Sequence, residues 1–512
     1  MIRGRFGPSL STLPVALFLS GFFVSLGAQE VQGTLSLDQA LELARRNSPT
    51  FRQTANNQGP ADWAFRESVG QFLPSFNTSV TGQYIEPGVP STGLFDASDF
   101  GLGSTDYYFS YYNLTLNYSI GGSTFFDVAS SRANQNATRA EIRAAEYTLE
   151  SNVTAQYIIA LRARDAVLVA QRELDRAHEN YELAQARVEV GAVIPTDGKQ
   201  AEVERGRARV TLIEAESTYR TERHRLLEQV GVEADGEFEL TSDFSLFEPT
   251  WDRDELLDRA LTRHPQLRAT RARESAGNAN VRSMWSQYLP TLRFQANWSG
   301  RAREIGDTDY LLGQTASSFQ GARANCEFMN ELSDKLTQPL EGYPADCAAD
   351  RYIFSAADSA AVLANNDVFP FNWRKEPLSV YMQISFPVFS GFQRERQVAE
   401  AKAAADDARF NRRAEELRIQ TEVTSAYDEL MAATQVVEIE IRNREVAEEQ
   451  LALAQERYSL GAAAFLELLE AQQSMAAAER DYLNARYRFH GAIWRLEAAV
   501  GERLRPDAEN LP

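Results

Sequence analysis

The sequence predicts an α+β membrane protein, internally duplicated, in which short membrane-spanning strands continue into very long paired helices. Three observations predict this class. The chain repeats itself once, each half has two segments that alternate apolar and polar residues, and each half has more than 60 proline-free residues with heptad-spaced apolar positions. The formal net charge of −20 argues against nucleic-acid binding, because phosphate binding needs clustered Lys and Arg.

The N-terminus has the pattern of a secretory signal peptide. Arg3 and Arg5 precede an apolar run at 13–24, and small residues lead up to Ala28. Residues 1–28 are therefore predicted to be cleaved after export. Since no later stretch of about 20 apolar residues occurs, a membrane-embedded mature chain is expected to cross the bilayer as strands.

The two halves of the chain share motifs at two different shifts. Phe-Leu-Pro at 72–74 recurs as Tyr-Leu-Pro at 288–290, a shift of 216, and the segment 187–192 recurs at 457–462, a shift of 270. These shifts differ by 54, so the second half contains an insertion of that size. The predicted domains are a first repeat at 29–249, a second repeat at 250–501 with the insertion at about 301–377, and a tail at 502–512.

The insertion contains the two cysteines of the chain, Cys326 and Cys347. In an oxidising compartment they are expected to form one disulfide that closes a loop. Two free thiols remain the alternative. Since the insertion lies between the third and fourth predicted strands, it is expected on the extracellular side.

Four segments alternate an apolar face with a hydrogen-bonding face, as amphipathic strands do. The predicted strands lie at about 73–84, 109–120, 289–300 and 378–389. Aromatic residues crowd their ends, which is typical of a membrane barrel, although a soluble sandwich has the same alternation. Lipid tolerates no open sheet edge and about eight strands make the smallest closed barrel, so several subunits must combine their strands, and three would provide twelve.

Long helices follow each strand pair. In the first half, residues 123–189 contain no proline and carry apolar residues seven apart, at Val153, Ala160, Val167, Leu174, Tyr181 and Val188. A helix of some 65 residues is about 100 Å long, beyond any bilayer. The chain is expected to turn at 191–195 and 461–464 and to return as helices at 197–230 and 465–499, giving a hollow bundle of antiparallel coiled-coil pairs.

These features resemble the TolC family of outer-membrane efflux proteins. The likeness rests on the internal duplication, the Phe-Leu-Pro and Tyr-Leu-Pro motifs that precede strands, the segments 381–391 and 457–461, and Glu-Leu-Leu-Glu-Ala-Gln at 467–472. It covers nearly the whole mature chain. It implies a homotrimer whose twelve-stranded β-barrel, four strands per chain, sits in outer-membrane lipid and continues as an α-helical coiled-coil barrel across the periplasm. A periplasmic adaptor (membrane fusion) protein and an inner-membrane pump are the implied partners.

The resemblance also implies a periplasmic gate. Matched by motif position, Glu467 and Glu470 are similar to acidic ring residues, Asp197 to their partner on the other hairpin, and Tyr458 to a tyrosine that bonds that hairpin. The alternative is that the acids are ordinary helix-start residues that the helix dipole stabilises. Some family members place an arginine two residues after the glycine of this turn, where this chain has Ala463.

The hairpin tips are the expected adaptor-docking sites of such a channel. Gly191, Ala192, Gly461 and Ala462 are small enough to let another chain approach closely, and plain turn residues are the alternative interpretation. An enzyme is disfavoured because the four histidines, at 178, 224, 264 and 490, lack ligand spacing, and no phosphate loop or nucleophile elbow occurs. No catalytic, cofactor or metal site is predicted. A periplasmic coiled-coil adaptor or scaffold is the alternative function.

Overall fold

The computed structural model describes residues 33–87, 105–233, 238–242 and 244–505. The predicted signal peptide and most of the predicted tail lie outside these residues. The chain divides into two compact units. The helical unit comprises Met1–Asn57, Ala140–Ala269 and Arg413–Pro512, and the sheet unit comprises Gln58–Arg139 and Thr270–Arg412.

Two very long helices, α4 and α10, dominate the element order. The helices are α1 (Leu37–Asn47), α2 (Pro49–Ala55), α3 (Gln58–Gly70), α4 (Gly122–Glu189), α5 (Pro195–Val230), α6 (Arg253–Arg263), α7 (Pro265–Ser286), α8 (Thr308–Lys335), α9 (Ala356–Asn366), α10 (Gln393–Ser459) and α11 (Phe465–Val500). The strands are β1 (Gly33–Leu35), β2 (Ser75–Ile85), β3 (Tyr107–Gly121), β4 (Phe238–Leu240), β5 (Thr291–Ile305), β6 (Arg374–Lys375) and β7 (Ser379–Ser385). A short 3-10 helix covers Asp350–Tyr352.

The core of the helical unit repeats like the sequence. Val153 of α4 and Val230 of α5 are fully buried. Their counterparts in the second repeat, Val423 of α10 and Val500 of α11, are no more than 1% exposed. Heptad spacing puts these side chains on one stripe of each helix, and pairing the stripes removes them from water. The apolar periodicity therefore fixes which face of each long helix turns inward.

A small parallel strand pair completes the helical unit. β1 pairs with β4, with Leu35 opposite Leu240. Both leucines are buried, and the Tyr157 hydroxyl donates to the Leu35 carbonyl oxygen at 2.8 Å. Such short segments carry no usable alternation, so this pairing is absent from the sequence prediction.

The sheet unit is built on an antiparallel sheet in the order β2-β3-β5, with β7 and the short β6 both paired to β5. In register, Asn77, Thr115 and Asn297 share one face, and the Thr115 hydroxyl donates to Asn297 Oδ1 at 3.1 Å. The opposite face is mainly apolar and carries Phe76, Leu116 and Trp298. Within the described residues, β2 pairs only with β3 and β7 only with β5, so the sheet has two open edges.

Several predicted boundaries differ from the structure. The fourth strand ends at Ser385, not near 389, since Pro387 has no N–H to continue a ladder. β5 runs on to Ile305, so the predicted insertion start at 301 falls inside a strand. The insertion is largely helical, with α8 and α9, rather than a simple loop.

The predicted disulfide is confirmed: Cys326 of α8 is bonded to Cys347. Asn330 supports it, because its side chain donates to the Ala345 carbonyl oxygen at 2.8 Å and accepts from the Ala345 N–H at 2.7 Å. The segment after α8 is thus attached to that helix by the disulfide and by several hydrogen bonds, one of which runs from the Leu340 N–H to Ser333 Oγ at 2.9 Å. Across the described parts of the chain, no helix combines the length and apolarity that a membrane span requires.

Candidate functional site: the two hairpin tips

Each long helix turns back at a glycine with left-handed backbone. Gly191 has φ 72° and Gly461 has φ 76°. In both turns the next residue closes the helix end: the Ala192 N–H donates to the Arg187 carbonyl oxygen, and the Ala462 N–H to that of Arg457. This bonding satisfies the carbonyl groups that a helix end leaves unpaired. The two tips, one in each repeat, therefore have the same backbone design.

The two hairpins pack together through small side chains. Ala184 of α4 and Ala201 of α5 share a buried cluster with Leu451 of α10 and Leu468 of α11. Alanine at these positions lets the helix axes approach closely, and each neighbouring leucine fills the space left over. The tips are therefore held at a defined distance from each other within one chain.

Tyr458 is the centre of the contact between the tips. Its side chain is fully buried, and its ring lies 5.7 Å from that of Phe465. Arg187 of the first hairpin places its guanidinium carbon 4.6 Å from the Tyr458 ring centroid, and its Nη1 donates to the Tyr458 carbonyl oxygen. Tyr458 therefore contacts the partner hairpin through its ring and its backbone.

The Tyr458 hydroxyl itself is buried and receives no hydrogen bond from any described residue. Burial raises the pKa of this hydroxyl, with nearby Arg187 opposing the rise and Asp197 adding to it. The phenol is thus neutral at physiological pH. Its contribution in this state comes from the ring, whose face attracts the guanidinium.

The predicted acidic residues take different positions. Glu467 lies in the first turn of α11 and forms an ion pair with Arg457 of α10, and the two side chains are 41% and 57% exposed. Asp197 lies in the first turn of α5, half-buried, and Glu470 is exposed one turn further along α11. Neither Asp197 nor Glu470 forms an ion pair with a described residue.

The helix-start interpretation fits two of these three acids. Asp197 and Glu467 each sit where the helix N-terminus is most positive, whereas Glu470 lies beyond that first turn. A dipole role does not account for Glu470. Ala463 is half-buried in the turn between α10 and α11.

The predicted docking residues all lie on the surface. Gly191, Ala192, Gly461 and Ala462 are exposed. Large apolar side chains border them: Val190 is 78% exposed, Leu460 76% and Ile194 63%. Isolated exposed apolar residues are common, but apolar side chains at both tips form a surface that a partner can cover.

Sequence reasoning did not assign a role to Arg187 or Arg457. A signal for them exists, because they are equivalent positions of the two repeats and both stand in the last turn before the tip glycine. Within the described part of the chain, no group of His, Cys, Asp and Glu is arranged to hold a metal ion.

Comparison with known proteins gives a consistent result. The family described as outer membrane efflux protein matches residues 40–232 and 357–502. Outer membrane efflux protein BepC of Brucella suis is 25% identical over 277 residues, which is 54% of this chain and 58% of BepC, so the chain spans less than two thirds of that relative.

Two solved structures show the fold at low identity. The CmeC outer membrane channel of Campylobacter jejuni superposes with a TM-score of 0.67 at 16% identity, covering 93% of this chain and 88% of CmeC. The open state of the MtrE outer membrane channel of Neisseria gonorrhoeae superposes with a TM-score of 0.63 at 16% identity, covering 92% and 89%.

The fold, with its two long helical hairpins and its antiparallel sheet, is that of these solved outer membrane channels. The family match extends over more than half of the sequence, and the chain therefore belongs to the outer membrane efflux protein family. The resemblance seen in the sequence is confirmed. A periplasmic adaptor or scaffold is not favoured, because the matched proteins are described as efflux proteins and channels.

Proposed function

We propose that this chain is the outer-membrane exit duct of a tripartite efflux or type I secretion system, passively conducting cargo from a periplasmic adaptor and inner-membrane pump to the exterior. The observation that carries the proposal is the apolar face of the sheet, which is strongly exposed on the two outer strands β2 and β7. Phe76 and Val80 of β2 are both 61% exposed, and Met382 of β7 is 68% exposed. A soluble sandwich would cover such a face, whereas a barrel presents it to lipid.

The open edges of the sheet support a homotrimer. An unpaired strand edge in hydrocarbon leaves backbone N–H and C=O groups without partners, at several kcal/mol each. Pairing β2 of one copy with β7 of the next removes both edges. Three copies of β2, β3, β5 and β7 then form the twelve-stranded barrel, with the periplasmic helices continuing it as a tunnel.

The hairpin tips are the proposed gate of this tunnel. Around a threefold axis, the acids at Asp197, Glu467 and Glu470 bring carboxylates into one narrow passage. Mutual repulsion and field focusing there favour cations over anions. With Ala463 in place of an arginine, the contacts of Arg187 with Tyr458 and of Arg457 with Glu467 are the proposed restraints on the closed state.

The adaptor is proposed to cover the same tips. Gly191, Ala192, Gly461 and Ala462 leave room for a helix of another chain, and the exposed apolar residues beside them supply area to bury. The insertion, with its start moved to residue 306, is proposed to lie outside the cell at the far end of β5. The chain is proposed to carry out no catalysis and to need no cofactor.

A planar lipid bilayer tests the proposal directly. Purified protein is reconstituted and single-channel current is recorded in a salt gradient, for wild type and for the Glu467→Gln/Glu470→Gln double variant. We expect discrete cation-selective steps in wild type and a loss of that selectivity in the double variant. Glu216→Gln serves as the control, since Glu216 is an exposed residue in the middle of α5, several turns from the tip.

The outcomes separate the parts of the proposal. A preparation that never inserts contradicts the duct. Steps whose selectivity is the same in wild type and the double variant contradict the acidic gate and leave the duct standing. A change in the Glu216→Gln control as large as that in the double variant assigns the effect to overall charge.

A further inference from the structure

The charged side chains on the polar face of the barrel strands are all positive. Arg293, Arg301 and Arg303 of β5 are separated by even intervals, so they share the polar face of the sheet with Gln295, Asn297 and Ser299. In register they lie beside Ser119, Tyr111 and Phe109 of β3, respectively. We name the three arginines the arginine row.

No carboxylate opposes the arginine row from within β2, β3, β5 and β7. The single acidic residue of these strands is Glu304, and alternation puts it on the apolar face. There its Oε2 accepts hydrogen bonds from the N–H groups of Val368 and Phe369, at 3.2 and 2.9 Å. Glu304 therefore binds backbone N–H groups on the apolar face and does not neutralise the arginine row.

Neighbours neutralise the arginine row only in part. Arg301 Nε lies 2.9 Å from Glu376 Oε1, but Arg374 stands directly opposite Arg301 in register and adds another positive charge. Arg303 places its guanidinium carbon 4.4 Å from the Tyr107 ring centroid, a contact that holds the group and leaves its charge. Arg293 is exposed and forms no ion pair with a described residue.

This arrangement has an electrostatic consequence inside a barrel. Arginine stays protonated throughout the physiological range, and lipid behind the wall keeps the dielectric low, so the field is focused into the lumen. With roughly 3.3 Å of rise per residue, Arg293 and Arg303 lie about 33 Å apart along β5. Positive charge therefore marks both ends of the strand.

We propose that the barrel section of the duct attracts anions through the arginine row, opposite in sign to the acidic hairpin tips. The inference rests on the proposed function and deepens it, since it names a charge class for the cargo at the exit. Anions bearing carboxylate, sulfonate or phosphate groups are held there by guanidinium groups, which match the geometry of those oxygens. Cations that pass the tips cross the barrel without a binding partner on the strands.

Reversal potentials in a salt gradient test the inference on the full-length channel. Arg293→Gln/Arg301→Gln/Arg303→Gln is compared with wild type and with the matched triple Arg→Lys variant, which keeps the charge. We expect neutralisation to raise the cation-to-anion permeability ratio by about twofold or more, and the lysine variant to retain the wild-type ratio. A small aromatic disulfonate added on the barrel side is expected to block the current of wild type and of the lysine variant. The block is expected to be weaker in the glutamine variant.

Each outcome decides the inference. An unchanged ratio in inserted glutamine-variant channels overturns it and leaves the duct intact, whereas a wild-type preparation without channels overturns both. If the triple variant does not insert, Arg293→Gln alone decides the question, because this residue is exposed and has no ion pair to lose. A ratio that Arg293→Gln leaves at the wild-type value counts against the proposal.

Discussion

Arg187 contacts Tyr458 from the opposite hairpin, with its guanidinium carbon 4.6 Å from the ring centroid and its Nη1 bonded to the tyrosine's own carbonyl oxygen. The equivalent arginine of the second repeat, Arg457, instead pairs with Glu467 of its own hairpin. Arg187 thus joins the two hairpins, whereas Arg457 makes a contact within one hairpin. The internal symmetry of the chain is broken at the place proposed as the gate.

Removing the Arg187 side chain is expected to favour an open tip. Arg187→Ala loses a cation–π contact and a charged hydrogen bond, about 1–2 kcal/mol together, which corresponds to a roughly 5- to 30-fold rise in the open fraction. Tyr458→Phe is expected to change little, because the hydroxyl has no described partner while the ring and the carbonyl remain. Resting single-channel conductance measures both.

The control for this pair is Arg209→Ala, an exposed arginine of α5 outside the contact. It is expected to conduct like wild type. If Tyr458→Phe conducts as much as Arg187→Ala, the hydroxyl matters more than the ring, and the contact between Arg187 and the ring is not the restraint. Equal resting conductance in Arg187→Ala and wild type removes Arg187 from the gate.

Gly231 and Gly501 are equivalent positions of the two repeats, and each lies at the end of a helix in close contact with backbone of another segment. Gly231, after α5, has φ 80°, and a Cβ there would lie 2.7 Å from the Asn47 carbonyl oxygen. Gly501, after α11, has φ 88°, and its Cβ would lie 2.9 Å from His264 Cα. The neighbour in each case is backbone, which cannot move aside as a flexible side-chain end can.

Gly231→Ala and Gly501→Ala are therefore each expected to destabilise the protein by about 2 kcal/mol or more, since left-handed strain and a backbone clash add up. Thermal unfolding in detergent measures the effect as a lowered Tm. Gly206→Ala is the matched control: this glycine lies inside α5 with open space around its Cβ position, so alanine should be neutral or slightly stabilising there. Equal Tm values for all three variants would contradict the close approach.

Much of the fold follows from the sequence because periodicity is a local property. Heptads and alternation predict the long helices and the four strands, and motif shifts predict the insertion. The different fates of Arg187 and Arg457 were not predictable in this way. Both stand four residues before the glycine of a Gly-Ala turn, and packing between the hairpins decides which partner each one meets. The pairing of β1 with β4 could not be predicted for a similar reason, because it joins segments far apart in the chain.

His264 makes the stability of the helical unit depend on pH. Its Nδ1 accepts from the Gln266 N–H at 3.2 Å and its Nε2 faces the Ala498 carbonyl oxygen at 3.3 Å, which suits a neutral ring. Burial lowers the pKa of His264, and the hydrogen bond to Ala498 opposes this only in part. The unfolded chain therefore binds a proton more readily than the folded one.

The sign of the effect follows from this difference. Stability is fully present above the unfolded pKa of about 6.5 and is lost as pH falls from there toward the folded value. We expect the Tm to drop between pH 7.5 and 5.5, and to drop less in His264→Asn, whose side-chain oxygen can still accept from the Gln266 N–H. The same drop in both proteins assigns the pH dependence to other groups.

The disulfide is expected to stabilise the insertion locally. Cys326 and Cys347 are 21 residues apart, and closing a loop of that size is worth about 3 kcal/mol. In Cys326→Ala/Cys347→Ala the two Asn330 bonds to Ala345 and the bond from the Leu340 N–H to Ser333 Oγ still hold the segment after α8. That segment should then open far more often, while channel conductance stays at the wild-type level because β5 and its pairings are untouched.

Limited trypsin digestion measures this opening within a single molecule. Lys335 ends α8 inside the disulfide-closed loop, and Arg323 lies in the same helix just before Cys326. Cleavage after Lys335 is expected to rise several-fold relative to cleavage after Arg323 when the disulfide is removed. A parallel rise at both sites would mean that the bond holds all of α8 rather than the loop. No rise at either site would mean that Asn330 and the helix packing suffice, and that the covalent bond adds nothing to the folded insertion.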